Sequence, residues 1–338
     1  MNSFERVMAV LNRQPYDRTP NFDISMAFGA HFIGAHLSTY FLDYRALVVS
    51  NLAVWQAFDL DIVQAISDPY REAVDFGLTV EFPEDGLPLC RAPLLVDADS
   101  LRILRAPDPA LGRRMSDRLE GVQALRQHVG RDAPVMGWVE GALAEANVLR
   151  GVTALMLDFY DRPEWVEALL ELTVGVEIAF ARAQVAAGAD LIGLGDAIAS
   201  TLSPRLYEKF ALPYEQRIFR AVHAMGALTR LHICGNTTHL LPLMVRSGAD
   251  IIDIDWMVDI HRAASIFGDG PALCGNFDPV GVMLRGNQEE VTRSVLECQA
   301  AGGSRYFSAA GCEIPDGTPY ANLLAQAQAL KGMAHGFK

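Results

Sequence analysis

The chain has 338 residues, of which 51% are hydrophobic and 20% are charged, and its formal net charge is −13. This balance is typical of a globular protein with a large core and excludes intrinsic disorder. A surface this acidic repels a phosphate backbone, so a nucleic-acid-binding role is excluded as well. The sequence contains no run of about 20 apolar residues that could span a bilayer. Residues 1–14 lack the features of a signal peptide, so we expect a cytoplasmic protein.

The order of the predicted elements indicates an α/β barrel. Residues 1–14 predict a short amphipathic helix with Phe4, Val7, Met8 and Leu11 on one face. Eight short β-type runs follow and alternate with helical stretches, which indicates parallel βαβ units, and eight strands close a barrel. The sequence therefore predicts a single (β/α)8 TIM barrel with an N-terminal helical extension. The eight runs cover residues 20–26, 61–68, 133–141, 189–196, 228–236, 249–256, 271–279 and 304–312.

The stretches between these strands complete the predicted fold. Apolar spacing and helix-end residues predict three helices, at 163–187, 204–225 and 287–301. Residues 69–132 are too many for one crossover helix; we expect a β-hairpin insertion at 76–89, over the barrel mouth, and a helix at 116–129. Because the sequence shows neither a repeat nor a linker, one domain is expected over residues 1–338.

Polar side chains concentrate at the carboxyl ends of the predicted strands, whose interiors are apolar. In a (β/α)8 barrel these ends line the mouth of the active site. This contrast indicates an enzyme site. The residues at the strand ends are Asp68, Glu140, Asp196, His232, Cys234, Asn236, Asp253, Asp255, Asn276, Asp278 and Cys312.

His232 and Cys234 form the most specific element. Residues two apart in a strand point to the same side, so the imidazole and the thiolate face one point. Cys312 follows the last predicted strand in a glycine-rich turn, where Gly311 allows the chain to bend toward the mouth. One nitrogen and two sulfur ligands with an open fourth position are typical of catalytic zinc. The alternative is that both cysteines are small buried residues and His232 is a hydrogen-bonded core histidine.

Two thiolate ligands favour sulfur chemistry over hydrolysis. Sulfur donates charge to zinc and makes the ion a poor activator of water, whereas a thiol that binds to zinc is deprotonated. The pattern therefore predicts a site that activates a substrate thiol.

Three carboxylates are candidate catalytic residues. Glu140 is a candidate fourth zinc ligand, a partner of a zinc ligand or a proton acceptor. The alternative is a barrel carboxylate that is hydrogen-bonded to backbone amides. Asp68 and Asp196 orient the substrate, or they only cap the helices that follow them.

Three further residues are candidates for substrate binding: Asn236, Asp255 and Asn276. Asp253 and Asp255 alternate with isoleucines, so both are expected to point to the mouth. Asn276 lies in an Asn-x-Asp-Pro segment, which is also good turn chemistry. The remaining cysteines, and two histidines in a loop-like stretch after the first strand, are expected to be structural or locally bonded: Cys90, Cys274, Cys298, His31 and His36.

Several longer motifs resemble the uroporphyrinogen decarboxylase superfamily. They are HICGNT at 232–237, GNFDP at 275–279, AAGCEIPDGTP at 309–319 and LSPRLYEKFALPYEQRIF at 202–219. The resemblance begins at FERVMAVLNRQPYDRTP, residues 4–20, and reaches the last helix.

Two branches of that superfamily differ in the residues they require. The decarboxylases bind an acidic tetrapyrrole with an arginine-rich segment after the first strand, but residues 21–34 contain no arginine here. Asp68 falls about where those enzymes have their key aspartate. The cobamide-dependent methyltransferases, including the methylcobamide:coenzyme M enzymes, have an H-x-C motif and a distant cysteine. His232, Cys234 and Cys312 match that pattern.

The resemblance to the second branch implies zinc, a corrinoid (methylcobamide) carried by a partner protein, and a small thiol or other small methylated substrate. No basic patch for a sulfonate such as coenzyme M is evident, since Arg71, Arg150 and Arg230 are scattered. A tetrapyrrole decarboxylase is the alternative enzyme, and a non-catalytic zinc- or corrinoid-binding protein is the alternative of another class. The sequence leaves a homodimer open.

Overall fold

Nine strands occur in the computed structural model, which describes residues 1–97 and 99–332. Seven of them form one parallel sheet in the order β1-β4-β5-β6-β7-β8-β9, and β2 and β3 form a separate antiparallel pair. The strands are β1 (Val63–Gln64), β2 (Val80–Glu81), β3 (Leu89–Cys90), β4 (Val135–Glu140), β5 (Leu191–Gly195), β6 (Leu228–His232), β7 (Ile251–Asp253), β8 (Ala272–Cys274) and β9 (Tyr306–Phe307).

Helices follow the strands and pack around the sheet. They are α1 (Ser3–Leu11), α2 (Met26–Phe32), α3 (Leu37–Leu42), α4 (Tyr44–Ala57), α5 (Arg71–Phe76), α6 (Ser100–Ile103), α7 (Arg113–Val129), α8 (Ala142–Arg150), α9 (Val152–Asp161), α10 (Pro163–Ala187), α11 (Pro204–Phe210), α12 (Leu212–His223), α13 (Leu241–Met244), α14 (Ile260–Phe267), α15 (Gln288–Gly302) and α16 (Tyr320–Lys331). None of the helices in the described part of the chain combines the length and the apolar character needed to cross a membrane.

Residues 20–22 connect the two ends of the parallel sheet. The Phe22 amide donates to the Ser308 carbonyl at 2.8 Å, and the Asp61 amide donates to the Asn21 carbonyl at 2.8 Å. The first predicted strand is thus present, but as a bridge rather than a regular strand. One reason is that the Ala310 amide donates to the side chain of Asp23 instead of to a main-chain carbonyl. The predicted (β/α)8 architecture is confirmed.

The hairpin insertion and most of the helices lie where the sequence predicts them. Strands β2 and β3 pair between Val80 and Cys90, and α10 has the predicted bounds 163–187. The single helix predicted at 204–225 is wrong. It is divided at Ala211, because Pro213 has no amide hydrogen and cannot lie within an unbroken helix.

The prediction of a loop-like stretch after the first strand is wrong as well, because α2 and α3 lie there. His31 belongs to α2 and pairs with Asp316 at 2.8 Å, and His36 precedes α3 and pairs with Asp85 at 2.8 Å. Both histidines are therefore locally bonded, as expected.

The indole of Trp138 fills the barrel interior beneath the mouth. It lies against the two glycines of β5: a Cβ atom at Gly193 would lie 2.3 Å from the ring, and one at Gly195 would lie 3.0 Å from it. Only glycine leaves room for an indole this close to a neighbouring strand. The ring centre of His232 is 6.1 Å from that of Trp138, so the indole supports the imidazole from below.

Candidate metal centre

His232 and Cys234 lie at the carboxyl end of β6, on the mouth side of the barrel. His232 is the last residue of the strand, and its Nε2 atom is 2.9 Å from the sulfur of Cys234. The chain turns directly afterwards at Gly235, whose φ of 93° is in the left-handed region. Gly235 donates its amide to the carboxylate of Asp255 at 2.8 Å, which fixes the turn that follows Cys234.

Cys312 reaches the same point from the loop after β9. Its sulfur is 3.5 Å from that of Cys234 and 3.9 Å from Nε2 of His232. The loop is fastened to the first-strand segment, since the Ile314 amide donates to the carbonyl of Ile24 at 2.7 Å. Gly311 is needed for close approach, because a Cβ atom there would lie 2.3 Å from the backbone nitrogen of Trp256.

The three candidate ligand atoms are spaced much as the ligands of a tetrahedral zinc ion. All of them lie within 4.8 Å of one another. Zinc bonds of about 2.0–2.3 Å place tetrahedral ligand atoms roughly 3.5–3.8 Å apart. The two distances that involve Cys312 are close to that range, whereas the distance from His232 Nε2 to Cys234 Sγ is shorter than it by roughly 0.6 Å.

A carboxylate orients the histidine for metal binding. Nδ1 of His232 lies 2.8 Å from Oδ2 of Asp253, a contact that suits a hydrogen on Nδ1 and turns Nε2 toward the sulfurs. Histidines that bind metals commonly have such a partner. Nε of Arg230 donates to the same carboxylate at 2.8 Å. The sequence placed Asp253 at the mouth, but it did not assign this contact.

The two thiols also favour a cation. With the Cys234 thiol as donor to the Cys312 sulfur, the pKa of Cys312 falls to about 4 and the pKa of Cys234 rises above its usual range. A divalent ion would stabilise both thiolates, since thiolates are the form that binds metal.

The ligand atoms lie on the wall of a cavity of about 180 Å³. Its lining mixes apolar side chains with carboxylates. Besides the three ligands, it is lined by Ile24, Met26, Ile66, Ser67, Asp68, Pro69, Arg71, Trp138, Glu140, Gly195, Ala197 and Glu313.

Glu140 lies at the end of β4 and faces this cavity. Its Oε1 atom accepts a hydrogen bond from Nη2 of Arg71 at 2.8 Å and another from the indole nitrogen of Trp138 at 3.3 Å. Burial raises the pKa of Glu140 to about 7, although Arg71 opposes the shift. A carboxylate with a pKa near neutrality is suited to accept a proton. Glu140 is not part of the three-ligand cluster in the described residues.

Asp68 lines the cavity too, but its carboxylate belongs to a buried ion pair. Its Oδ2 atom is 2.6 Å from Nη2 of Arg114 and 2.9 Å from the Ser67 hydroxyl. Burial alone would raise the pKa of Asp68, but Arg114 and Arg71 outweigh it and lower that pKa. Asp68 therefore stays charged.

Asp196 lies directly after β5 and is buried, but it does not line the cavity. Burial and the nearby Glu215 raise the pKa of Asp196 well above its usual value. Gly141 leaves the space for it, because a Cβ atom at that position would lie 2.4 Å from Oδ2 of Asp196.

The three predicted substrate-binding residues lie outside this cavity. Asn236 is exposed and accepts a hydrogen bond from the Thr238 amide at 3.2 Å. Asp255 accepts from Gly235, and Asn276 donates to the Asp255 carbonyl at 3.0 Å, so both residues hold the loops beside the ligands. Their role in substrate binding stays a prediction.

Glu313 is a charged cavity residue that no sequence pattern singled out. It follows Cys312 directly, and its Oε1 atom accepts from the Ala27 amide at 2.7 Å. Its position beside a predicted ligand was a usable signal. The other three cysteines, Cys90, Cys274 and Cys298, are free thiols outside the ligand cluster.

Comparison with known proteins places the chain in a family. The sequence profile described as uroporphyrinogen decarboxylase (URO-D) matches residues 2–333. The methylcobamide:CoM methyltransferase MtbA of Methanosarcina mazei is 34% identical over 220 residues, which cover 64% of this chain and 64% of that relative. The protein of the same name from Methanosarcina acetivorans is 28% identical over 338 residues, 97% of each chain.

Uroporphyrinogen decarboxylases are similar as well. The one from Trichormus variabilis is 29% identical over 280 residues, which cover 81% of this chain and 79% of that enzyme. A solved structure described as a methyltransferase from Methanosarcina mazei has the same fold, with a TM-score of 0.89 and 23% identity over 97% of this chain and 98% of that one. Because the family profile spans almost the whole chain, this protein belongs to the uroporphyrinogen decarboxylase family, and it resembles the cobamide-dependent methyltransferase branch of that family.

Proposed function

We propose that this chain is a zinc-dependent methyltransferase, which moves a methyl group between a methylated corrinoid on a separate corrinoid protein and a small thiol or other small methylated substrate. The observation that carries the proposal is the convergence of one imidazole nitrogen and two sulfurs on the wall of a small cavity. The methylcobamide:CoM methyltransferases among the relatives support the methyl-transfer reaction.

The reaction balances without a further oxidant or reductant. The substrate sulfur forms a bond to the methyl carbon, the cobalt–carbon bond of the methylcorrinoid breaks, and both electrons of that bond stay on the cobalt. The proton of the thiol passes to a base, and the products are a thioether and the reduced corrinoid. A zinc ion held by His232, Cys234 and Cys312 would supply a Lewis acid that favours the deprotonated thiol.

The residues of this chain have separate tasks in that reaction. Asp253 keeps His232 in the tautomer that presents Nε2. Glu140 accepts the proton, and Arg71 holds it in place from 2.8 Å. The apolar lining residues, such as Ile24 and Ile66, exclude water from the sulfur. Catalytic roles for Asp68 and Asp196 stay predictions, as do the single domain over residues 1–338, the cytoplasmic location and a homodimer.

Decarboxylation of a tetrapyrrole is the competing reaction, because decarboxylases are also among the relatives. Two observations weigh against it. The cavity of about 180 Å³ is small compared with the roughly 300–1,000 Å³ of pockets for drug-sized ligands, and a tetrapyrrole is larger than those ligands. No arginine lies in residues 21–34 to pair with its carboxylates.

The test compares two cysteine variants. Cys312→Ser removes a ligand, whereas Cys298→Ser changes a partly buried cysteine on α15 and is the matched control. Zinc content is measured by elemental analysis, and methyl transfer is measured from methylcobalamin to a panel of thiols. We expect Cys312→Ser to lose most of the zinc and most of the activity but to stay folded by circular dichroism.

Each other outcome has a definite meaning. Unchanged zinc and rate in Cys312→Ser would remove its proposed role. A decarboxylated product from uroporphyrinogen would favour the competing reaction. Stoichiometric zinc without transfer to any thiol would favour a non-catalytic binding protein.

A further inference from the structure

We propose that the thiol methylated at this site carries a positive charge at its far end, so that the substrate is a small amino thiol rather than a thiol with a sulfonate or carboxylate. The inference rests on the proposed function, because it takes the substrate sulfur to lie at the metal centre. It concerns the part of the cavity away from the ligands, where the remainder of the molecule must lie.

The arginine that lines the cavity is already neutralised. Nη2 of Arg71 donates to Glu140 at 2.8 Å and lies 3.6 Å from Oε1 of Glu72, and Nη1 donates to the carbonyl of Asp68. Only 1% of its side chain is exposed. An anionic substrate would have to compete with these carboxylates for the guanidinium, and it would leave one of them buried without its partner.

A second buried arginine, which pairs with the cavity residue Asp68, is also engaged. Arg114 lies behind Asp68, donates to that carboxylate at 2.6 Å and to the Phe41 carbonyl at 2.7 Å, and has 3% of its side chain exposed. Apart from the ligand His232, Arg71 is the one basic residue that lines the cavity in the part of the chain that the structure describes. A sulfonate bound here would therefore lack a free cation, and burying an unpaired anion is costly.

The other charged lining residues are acidic. Glu140 and Glu313 face the cavity together with Asp68. The Ala27 amide donates to Oε1 of Glu313 at 2.7 Å and so holds this carboxyl group at the wall. In the described residues, no arginine is a hydrogen-bond partner of Glu313. In either protonation state these groups supply no positive charge. An ammonium group, in contrast, finds oxygen acceptors on this wall.

The shape of the cavity limits the length of the substrate. The cavity at the ligands has a volume of about 180 Å³. It adjoins a second cavity of about 240 Å³, which shares Glu313 and Asp68 and is bordered by Tyr70, Leu87 and Pro88 near the hairpin. Glu313 lines both cavities, so an ammonium group on a short carbon chain would meet its carboxyl group within this lining.

The first experiment avoids differences in thiol acidity by measuring the binding of S-methyl products to the zinc-loaded protein. The probes are 2-(methylthio)ethylamine, 2-(methylthio)ethanol and 2-(methylthio)ethanesulfonate, titrated by calorimetry at constant ionic strength. We expect the amine to bind about tenfold more tightly than the alcohol, because it gains one charge-assisted hydrogen bond. We expect the sulfonate to bind about tenfold more weakly than the alcohol, because its charge finds no free cation. Equal or tighter binding of the sulfonate than of the alcohol overturns the inference, and so does an amine that binds no better than the alcohol.

The second experiment tests the acidic wall. In Glu313→Gln the ratio of kcat/KM for 2-aminoethanethiol to that for 2-mercaptoethanol is expected to fall about tenfold, with methylcobalamin as donor. Glu289→Gln, on the exposed side of α15, is the matched control and should leave the ratio unchanged. An unchanged ratio in Glu313→Gln removes this residue as the anchor. If no thiol is methylated at all, the proposed function fails, whereas the binding order of the three products still decides the charge preference.

Discussion

Asp253 holds the imidazole of His232 by its Nδ1 atom at 2.8 Å while it also pairs with Arg230 at 2.8 Å. This buried chain of arginine, aspartate and histidine ends at the two sulfurs. It fixes which nitrogen faces the cavity before any ion binds.

Replacing that aspartate should weaken both the metal site and the fold, because Arg230 also loses its buried partner. We expect Asp253→Asn to lower zinc affinity by about 10–100-fold, because the histidine loses the charge that makes it a strong ligand. Affinity is measured by competition with a chromogenic chelator. Asp269→Asn, whose side chain is 94% exposed, is the control. Unaltered zinc affinity in a folded Asp253→Asn protein would show that the contact does not support the ligand.

Gly311 offers a second way to disturb the centre without touching a ligand. In Gly311→Ala the added Cβ atom would meet the Trp256 backbone at 2.3 Å, so the loop must shift and carry Cys312 with it. We expect zinc affinity to fall at least tenfold, which is the typical effect of removing a residue that supports a metal ligand. Gly175→Ala, where the Cβ atom meets open space within α10, should leave zinc binding unchanged. Equal zinc affinities in the two variants would contradict this role of Gly311.

The proposed base predicts a pH profile. Burial raises the pKa of Glu140 to about 7, and a base acts in its deprotonated form, so kcat/KM should rise with pH around a midpoint near 7. Glu140→Gln should lower kcat/KM by about 10²–10⁴-fold and flatten this limb. The groups whose charges act on Glu140 are Arg71, Glu72, Glu145, Glu177 and Asp196. A limb that persists in Glu140→Gln would assign it to another group.

Replacing Glu145 should stabilise the protein in a pH-dependent way. Burial, together with Glu72, raises its pKa in the folded state well above its usual value. The folded state therefore binds this proton more tightly than the unfolded state, and stability falls as the pH rises above about 4.3, the unfolded value. Glu145→Gln should raise the melting temperature at pH 8 by a few degrees and have little effect near pH 4. Melting curves at both pH values test this, with Glu289→Gln as the exposed control; a gain equal at both pH values would contradict it.

The ion pair between Asp68 and Arg114 allows a structural role of Asp68 to be distinguished from a catalytic one. Both side chains are buried and lie 2.6 Å apart, and removing one partner of a buried pair costs about 3–5 kcal/mol. We expect Asp68→Asn to lower the free energy of unfolding by that amount in urea titrations. A variant with unchanged stability but little activity would instead support the predicted catalytic role of Asp68.

The sequence predicted the features that depend on short spacing. His232 and Cys234 share a face because strand side chains alternate, and the order of strands and helices predicted the barrel that brings Cys312 to them. The break between α11 and α12 was missed, although Pro213 marks it in the sequence.

The pairings that shape the cavity were not readable from the sequence. Arg71 and Glu140 are 69 residues apart, and Asp68 and Arg114 are 46 residues apart. No local pattern indicates which buried arginine meets which carboxylate, because that choice depends on how α5 and α7 pack beside β4. The neutralisation of Arg71 therefore emerged only from the structure.

The attachment of the Ile314 amide to the Ile24 carbonyl has a consequence for biosynthesis. Translation delivers the N-terminal support of the Cys312 loop first, then His232 and Cys234, and Cys312 last of these residues. After Cys234 the ribosome must add a further 78 residues before Cys312 is part of the chain. Under the proposed function, the three-ligand centre is therefore complete only after the two ends of the barrel have met.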